Sequence, residues 1–208
     1  MEAIYHRQVL QRALDGRVSA RALARMTAAN LGQDSLRGQL HPEFHFDNSR
    51  FAEGLAYIEN SREVALQAST PDAAWAAFGR LSHAAQDFYS HSNYVALWLG
   101  QFPPEGAPPP AAVDGLDPRF LRHPRLTSGR IYLPIEAMVY FPGLRGLVRR
   151  LLPKDSHAWM NLDSPATGPH FPYSIEAAVQ RTGAEFDRTL AALGEGRGAD
   201  AMRGFCDL

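Results

Sequence analysis

Thr70-Pro71-Asp72-Ala73-Ala74-Trp75-Ala76-Ala77-Phe78-Gly79-Arg80-Leu81-Ser82-His83-Ala84-Ala85-Gln86-Asp87-Phe88-Tyr89-Ser90-His91-Ser92-Asn93-Tyr94 is the stretch on which the fold turns. Thr70-Pro71-Asp72 is a helix start with proline at the first position, and the pattern that follows predicts a helix running to about Trp98. Within it His83 and Asp87, four apart, share a face. His91 lies a further turn on, rotated by about 80° from His83, near enough to serve an adjacent ion. That spacing suits two metal ions bridged by the central carboxylate. Imidazole and carboxylate are the ligands zinc takes where cysteine is absent, commonly with water in an open catalytic position. The plainer alternative is a long helix carrying polar residues on its solvent side.

Outward from this helix, the chain is helical by pattern. Ile4, Leu10 and Leu14 recur in one segment, and Ser19 can cap a second through Ala22, Leu23 and Met26. Gly32 to Asn48 reads as turns, and Ser49 to Gln67 as a helix carrying Phe51, Leu55, Ile58 and Leu66. Five prolines and Gly106 between Phe102 and Pro110 stop the long helix, and residues 102–133 read as a Pro-rich surface excursion or lid. Ile135 to Leu152 is apolar and helical with a break near Pro142-Gly143, and Tyr173 to Leu193 closes the fold. No strand-like alternation of useful length appears. The expectation is an all-α, single-domain bundle over residues 1–208.

Composition narrows the function classes. Hydrophobic residues at 45% and charged residues at 21% are the proportions of a globular protein. A net charge of -1 removes the broad basic footprint of a protein that grips duplex nucleic acid. Cys206 is the sole cysteine, so neither an intrachain disulfide nor a thiolate cluster can form, and a metal would be held by His, Asp or Glu. Met1-Glu2-Ala3-Ile4-Tyr5-His6 lacks the basic and apolar regions of a signal peptide, which reads as cytoplasmic or exported without a cleavable signal. His6, His45 and His170 are the further histidines that the metal reading adds. Asp47, two after His45, is a ligand or a group orienting an imidazole. Tyr89 and Asn93 are candidate substrate contacts.

His83-x-x-x-Asp87-Phe88-Tyr89-Ser90-His91-Ser92-Asn93, with Ala29-Asn30-x-x-x-Asp34 and Phe44-His45-Phe46-Asp47-Asn48 upstream, resembles the Het-C-like branch of the zinc-dependent phospholipase C and single-strand nuclease superfamily. The resemblance, which with His6 and the His157 to His170 segment spreads over most of the chain, implies a helical fold with two or three zinc ions. It implies one ion on Asp34, His45 and His83, with Asp87 bridging to a second that also takes His6 and the Met1 amine. For the remaining ion it implies His91 and His170, completed by Glu176, Asp163 or His157, because Ser174 stands where the branch has a carboxylate.

Such a cluster would activate water for attack on a phosphodiester, with Asp34 accepting its proton. The expectation is therefore a zinc-dependent phosphodiester hydrolase, phospholipase C-like, acting on a small phosphodiester or phospholipid. The alternatives are a Het-C-like protein, non-catalytic or with other chemistry, acting by partner or membrane binding, and a single-strand nuclease. Ile135 to Phe141 with Leu144, Leu147, Val148, Leu151 and Leu152 is apolar enough for peripheral membrane contact, and Arg145, Arg149 and Arg150 suit anionic lipid. An ordinary core helix with a solvated arginine face is the alternative there.

Overall fold

Helix α5, Pro71–His91, is the axis of the molecule, and every residue from Ala74 to His91 except Arg80 is buried. Its start is the expected one: the Thr70 hydroxyl accepts from the Ala73 amide at 3.3 Å, and Pro71 occupies the first turn. A helix apolar or small all round needs neighbours all round. Those are α1 (Ala3–Leu14), α2 (Ala20–Leu31), α4 (Phe51–Gln67), α10 (Phe171–Arg197) and α11 (Ala199–Cys206), each in contact with α5. The shorter helices are α3 (Pro42–His45), α6 (Tyr94–Leu99), α7 (Pro118–Leu121), α8 (Arg145–Leu151) and α9 (His157–Met160). The computed structural model describes residues 1–140, 143 and 145–208 as one all-helical domain, with no strand among the described residues.

Small residues set how close the helices come. A Cβ added at Gly79 would sit 2.2 Å from the Met26 carbonyl oxygen and 2.8 Å from the Ala29 Cβ, so α2 lies directly on α5. Gly79→Ala is expected to cost about 1–3 kcal/mol of stability through overpacking, read as a lowered denaturant midpoint. On the opposite side Glu185 of α10 is fully buried between Arg62 of α4, to which it is hydrogen-bonded, and Arg181, 2.5 Å away.

Three expectations are revised. The long helix ends at His91 rather than near Trp98. The Ser92 hydroxyl donates back to the Phe88 carbonyl at 2.5 Å, Ser92 pairs with Ser128, and the chain restarts as α6 after Asn93. The Pro-rich stretch is fastened down rather than a free lid. Val113 and Phe120 enter the core, Tyr94 Oη donates to the Asp114 carbonyl at 2.6 Å, and Gly115 packs against the backbone of Ala177. Between Ile135 and Leu152 a 3-10 turn, Ile135–Tyr140, precedes the short α8. Pro142, at the expected break, lies outside the described residues, as do Phe141 and Leu144.

Candidate metal centre

Five separate segments bring His and Asp side chains to one end of α5. The helix contributes His83, Asp87 and His91, all buried. α1 contributes His6, the turn Gly32–Asp34 contributes Asp34, and α3 contributes His45. Asp47 follows in a tight turn where Phe46, Asn48 and Ser49 all take positive φ. That turn is held by Ser128 Oγ, which donates to the Phe46 carbonyl, and by Asn48, which accepts from the Ile131 amide at 2.9 Å. His157 opens α9, and Asp163 lies in the loop after it.

The geometry centres on Asp87. Its Oδ2 is 3.0 Å from both His83 Nε2 and His45 Nδ1, and those two nitrogens are 3.1 Å apart. Asp34 Oδ1 is 3.7 Å from His83 Nε2. On its other oxygen, Asp87 Oδ1 lies 3.3 Å from His6 Nε2 and accepts from the Met1 amine at 2.8 Å. His6, Asp34, His83 and Asp87 thus each offer a ligand atom, all within 4.8 Å of one another, and Asp47, His91 and His157 do the same as a second group. Both nitrogens of His91 are engaged. Nδ1 is 3.2 Å from Asp47 Oδ1 and 3.0 Å from the His45 carbonyl, while Nε2 is 3.3 Å from Asp163 Oδ1 and from the Met1 amine.

Four carboxylates, those of Asp34, Asp47, Asp87 and Asp163, share this small volume, and among the described residues no Lys or Arg side chain pairs with any of them. Their counter-charge comes from imidazoles and the Met1 amine. Burial opposes ionisation of Asp87, yet the amine, His91 and His83 outweigh it and hold the carboxyl well below its usual range. Asp47 and Asp163 are held down in the same way, against their burial, by neighbouring imidazoles and, for Asp163, by the amine first. Burial holds His83 down to about 3, so its ring is neutral with a free lone pair. Asp34 goes the other way, pushed up by burial and by the Asp87 charge. His91 is pushed well above its usual range because Asp87 and Asp47 outweigh its burial. The Met1 amine rises to about 11, since Asp163 and Asp87 outweigh its burial.

Some residues named from the sequence stand elsewhere. His170 is the residue before α10 and joins neither group. Glu176 lies on the outer side of α10, where Arg12 donates to it at 2.7 Å. Tyr89 is fully buried and its hydroxyl donates to the Gly115 carbonyl, so it faces the Pro-rich stretch rather than a substrate. Asn93 is a loop tie, donating to the Arg125 carbonyl and accepting from the Thr127 amide, each at 2.9 Å. One contributor went unnamed: Gln86, whose Oε1 is 2.6 Å from His6 Nδ1 and so turns His6 Nε2 towards Asp87. Its signal was its place on α5 immediately before Asp87.

A family model described as the VWA7 N-terminal domain matches residues 2–105, half of the chain. Among curated proteins, von Willebrand factor A domain-containing protein 7 of Rattus norvegicus is 41% identical over 80 residues, which is 36% of this chain and 9% of that protein. The proteins of the same name in Homo sapiens and Mus musculus are each 40% identical over the same length and shares. The matched region therefore spans only 9% of these relatives. No solved structure matches. These matches overturn the Het-C-like assignment: the motif around His83, Asp87 and His91 sits in a different family. The zinc-dependent phospholipase C-like phosphodiesterase falls with it, as do the two alternatives framed on the same superfamily, because no match names that chemistry.

Proposed function

We propose that this chain, which belongs to the VWA7 N-terminal domain family, binds divalent transition-metal ions, zinc among them, in the buried His/Asp cluster at the end of α5. The observation that carries this reading is a crowd of buried ligand atoms that face one another without well-formed hydrogen bonds. His6 Nε2, Asp47 Oδ1, His157 Nε2 and Asp163 Oδ1 are buried and make no hydrogen bond among the described residues, although opposite charges lie close, the Met1 amine 2.9 Å from Asp163 Oδ1 among them. Buried polar atoms of native proteins are ordinarily paired, and buried carboxylates ordinarily meet a cation. A nitrogen and oxygen donor set without thiolate suits zinc and its neighbours in the first transition row. His6, Asp34, His83 and Asp87, with His45 alongside, would hold one ion, and Asp47, His91 and His157 a second.

Asp34 is 31% exposed, the most open of the four carboxylates, so the cluster meets solvent on its side. That exposure favours an ion with an open position over a closed structural one, and such an ion would supply Lewis acidity to a small ligand.

Thermal unfolding with and without metal tests the reading. Zinc at about 100 times its dissociation constant should stabilise the domain by about 2.7 kcal/mol over chelated protein, a rise in Tm of about 5–10 °C. No rise with zinc, manganese, iron or nickel would refute the proposal.

In chelator the domain is expected to be most stable near neutral pH. His83 titrates at about 3 in the fold against 6.5 when exposed, so the unfolded chain binds more protons between those values and stability falls on acidification. Asp47, Asp87 and Asp163, held below 3.8 in the fold, add stability that is lost as pH falls further. His91, raised, contributes below 6.5 and loses that contribution as pH climbs through its folded value. The check is a series of Tm values against pH in the presence of chelator.

A further inference from the structure

The described residues of 130–157 form a lobe closed at its ends, with a small core that Ala158 and Trp159 complete. Its two ends meet at a neck where the Arg130 amide donates to the Asp155 carbonyl and the His157 amide to the Arg130 carbonyl, both at 2.8 Å. Glu136 locks the neck from inside: buried, it accepts from the Tyr132 amide at 2.7 Å and the Ala158 amide at 2.6 Å. Val148, Leu152 and Ala158 pack together with Tyr132 and Trp159, apart from the main core.

What this lobe leaves outside is unusual in two respects. Val148 of α8 and Leu152 just after it are buried, yet Leu147 and Leu151, one turn apart, are 61% and 71% exposed. Leu133, Ile135 and Met138 of the preceding turn are exposed as well. The helix is therefore apolar on two sides although the lobe covers only one. Charge is the second respect. Between residues 119 and 160 there are eight Lys and Arg against two Asp and Glu, whereas the rest of the chain carries thirteen against twenty. Of the two acids, Glu136 is turned inward at the neck, leaving Asp155 beside Arg130. A net charge of -1 for the whole chain hides a strongly basic segment.

The geometry points to the lobe of residues 130–157 as a docking surface for an anionic lipid bilayer, with Leu147 and Leu151 entering the interface and Arg150 and Arg130 meeting the headgroups. Protruding aliphatic side chains beside basic ones are what an interfacial helix requires. Among the described residues no exposed large hydrophobic is aromatic, which favours an acyl interface over base stacking. No described helix is long and apolar enough to cross a membrane, so the contact is peripheral. The inference does not depend on metal binding.

Cosedimentation of the full chain with vesicles tests it. Vesicles of phosphatidylcholine with phosphatidylserine should retain the protein, and pure phosphatidylcholine or raised salt should release it. Arg150→Glu should weaken the partitioning about thirtyfold, at about fivefold per unit of charge changed. The pair Leu147→Ser with Leu151→Ser should reduce it at unchanged salt dependence. These side chains are exposed, so Tm should hold in each variant. If the leucine pair loosens the lobe, Arg150→Glu still decides. Equal retention by neutral vesicles, retention by neither, an unchanged Arg150→Glu variant, or tighter binding to single-stranded DNA than to anionic vesicles would overturn the proposal.

Discussion

Asp87→Asn is expected to remove the ion held with His6, Asp34 and His83 and, in chelator, to lower stability by about 3–5 kcal/mol, the cost of breaking a buried ion pair from one side. Both effects follow from position. Asp87 is fully buried, its Oδ2 shared by His45 and His83 and its Oδ1 by His6 and the Met1 amine. Asparagine preserves volume but presents a neutral amide, a poor ligand between two cationic centres. Removing the carboxylate also leaves the Met1 amine with Asp163 as its remaining acidic partner, 2.9 Å away. Elemental analysis of the purified variant, alongside denaturant unfolding in chelator, measures the two effects separately. Full retention of metal by Asp87→Asn would remove Asp87 from the centre.

Glu185→Gln should cost a similar amount, about 3–5 kcal/mol or a fall in Tm of about 6–20 °C, for an unrelated reason. Glu185 is fully buried against two buried guanidiniums, and without its charge Arg181 loses its acidic partner while Arg62 keeps only Glu59 at the α4–α10 contact. Burial opposes its ionisation, but Arg181 and then Arg62 hold the carboxyl down. The folded fraction of this variant should keep its metal, because Glu185 belongs to neither ligand group. The two substitutions therefore separate general destabilisation from loss of the centre. Equal metal loss in both would show that metal retention merely reports folding.

Much of the helical frame could be read from the chain itself. The Thr70-Pro71 start, the all-round small and apolar character of α5 and the absence of strand patterning are local signals, and local signals survive folding. The end of α5 could not be read that way. Ser92 stops it by a hydroxyl bond to Phe88 and by pairing with Ser128, a partner 36 positions on whose placement no local pattern encodes. The cluster divides along the same line. His83 and Asp87 face together through helix spacing alone, whereas Asp163 and His157 arrive through a loop fixed by tertiary contacts, such as the Leu162 amide on the Ser90 carbonyl at 2.6 Å. The face of α10 was open to inspection: Phe171, Ser174, Ile175 and Ala178 point inward, which turns Glu176 out to Arg12.

The motif on α5 also shows where resemblance overreaches. Three His and Asp residues at helical spacing specify a cluster that can hold ions, and they specify neither the family nor the bond a site would break. The matches to the VWA7 N-terminal domain moved the family and left the ligand geometry where it was. Metal content is accordingly the property to measure first. Elemental analysis of protein purified without chelator, then dialysed with limiting zinc, is expected to give about one to two ions per chain in the wild type and about one fewer in Asp87→Asn. Wild-type protein that retains no metal and takes up no zinc at neutral pH would contradict the account.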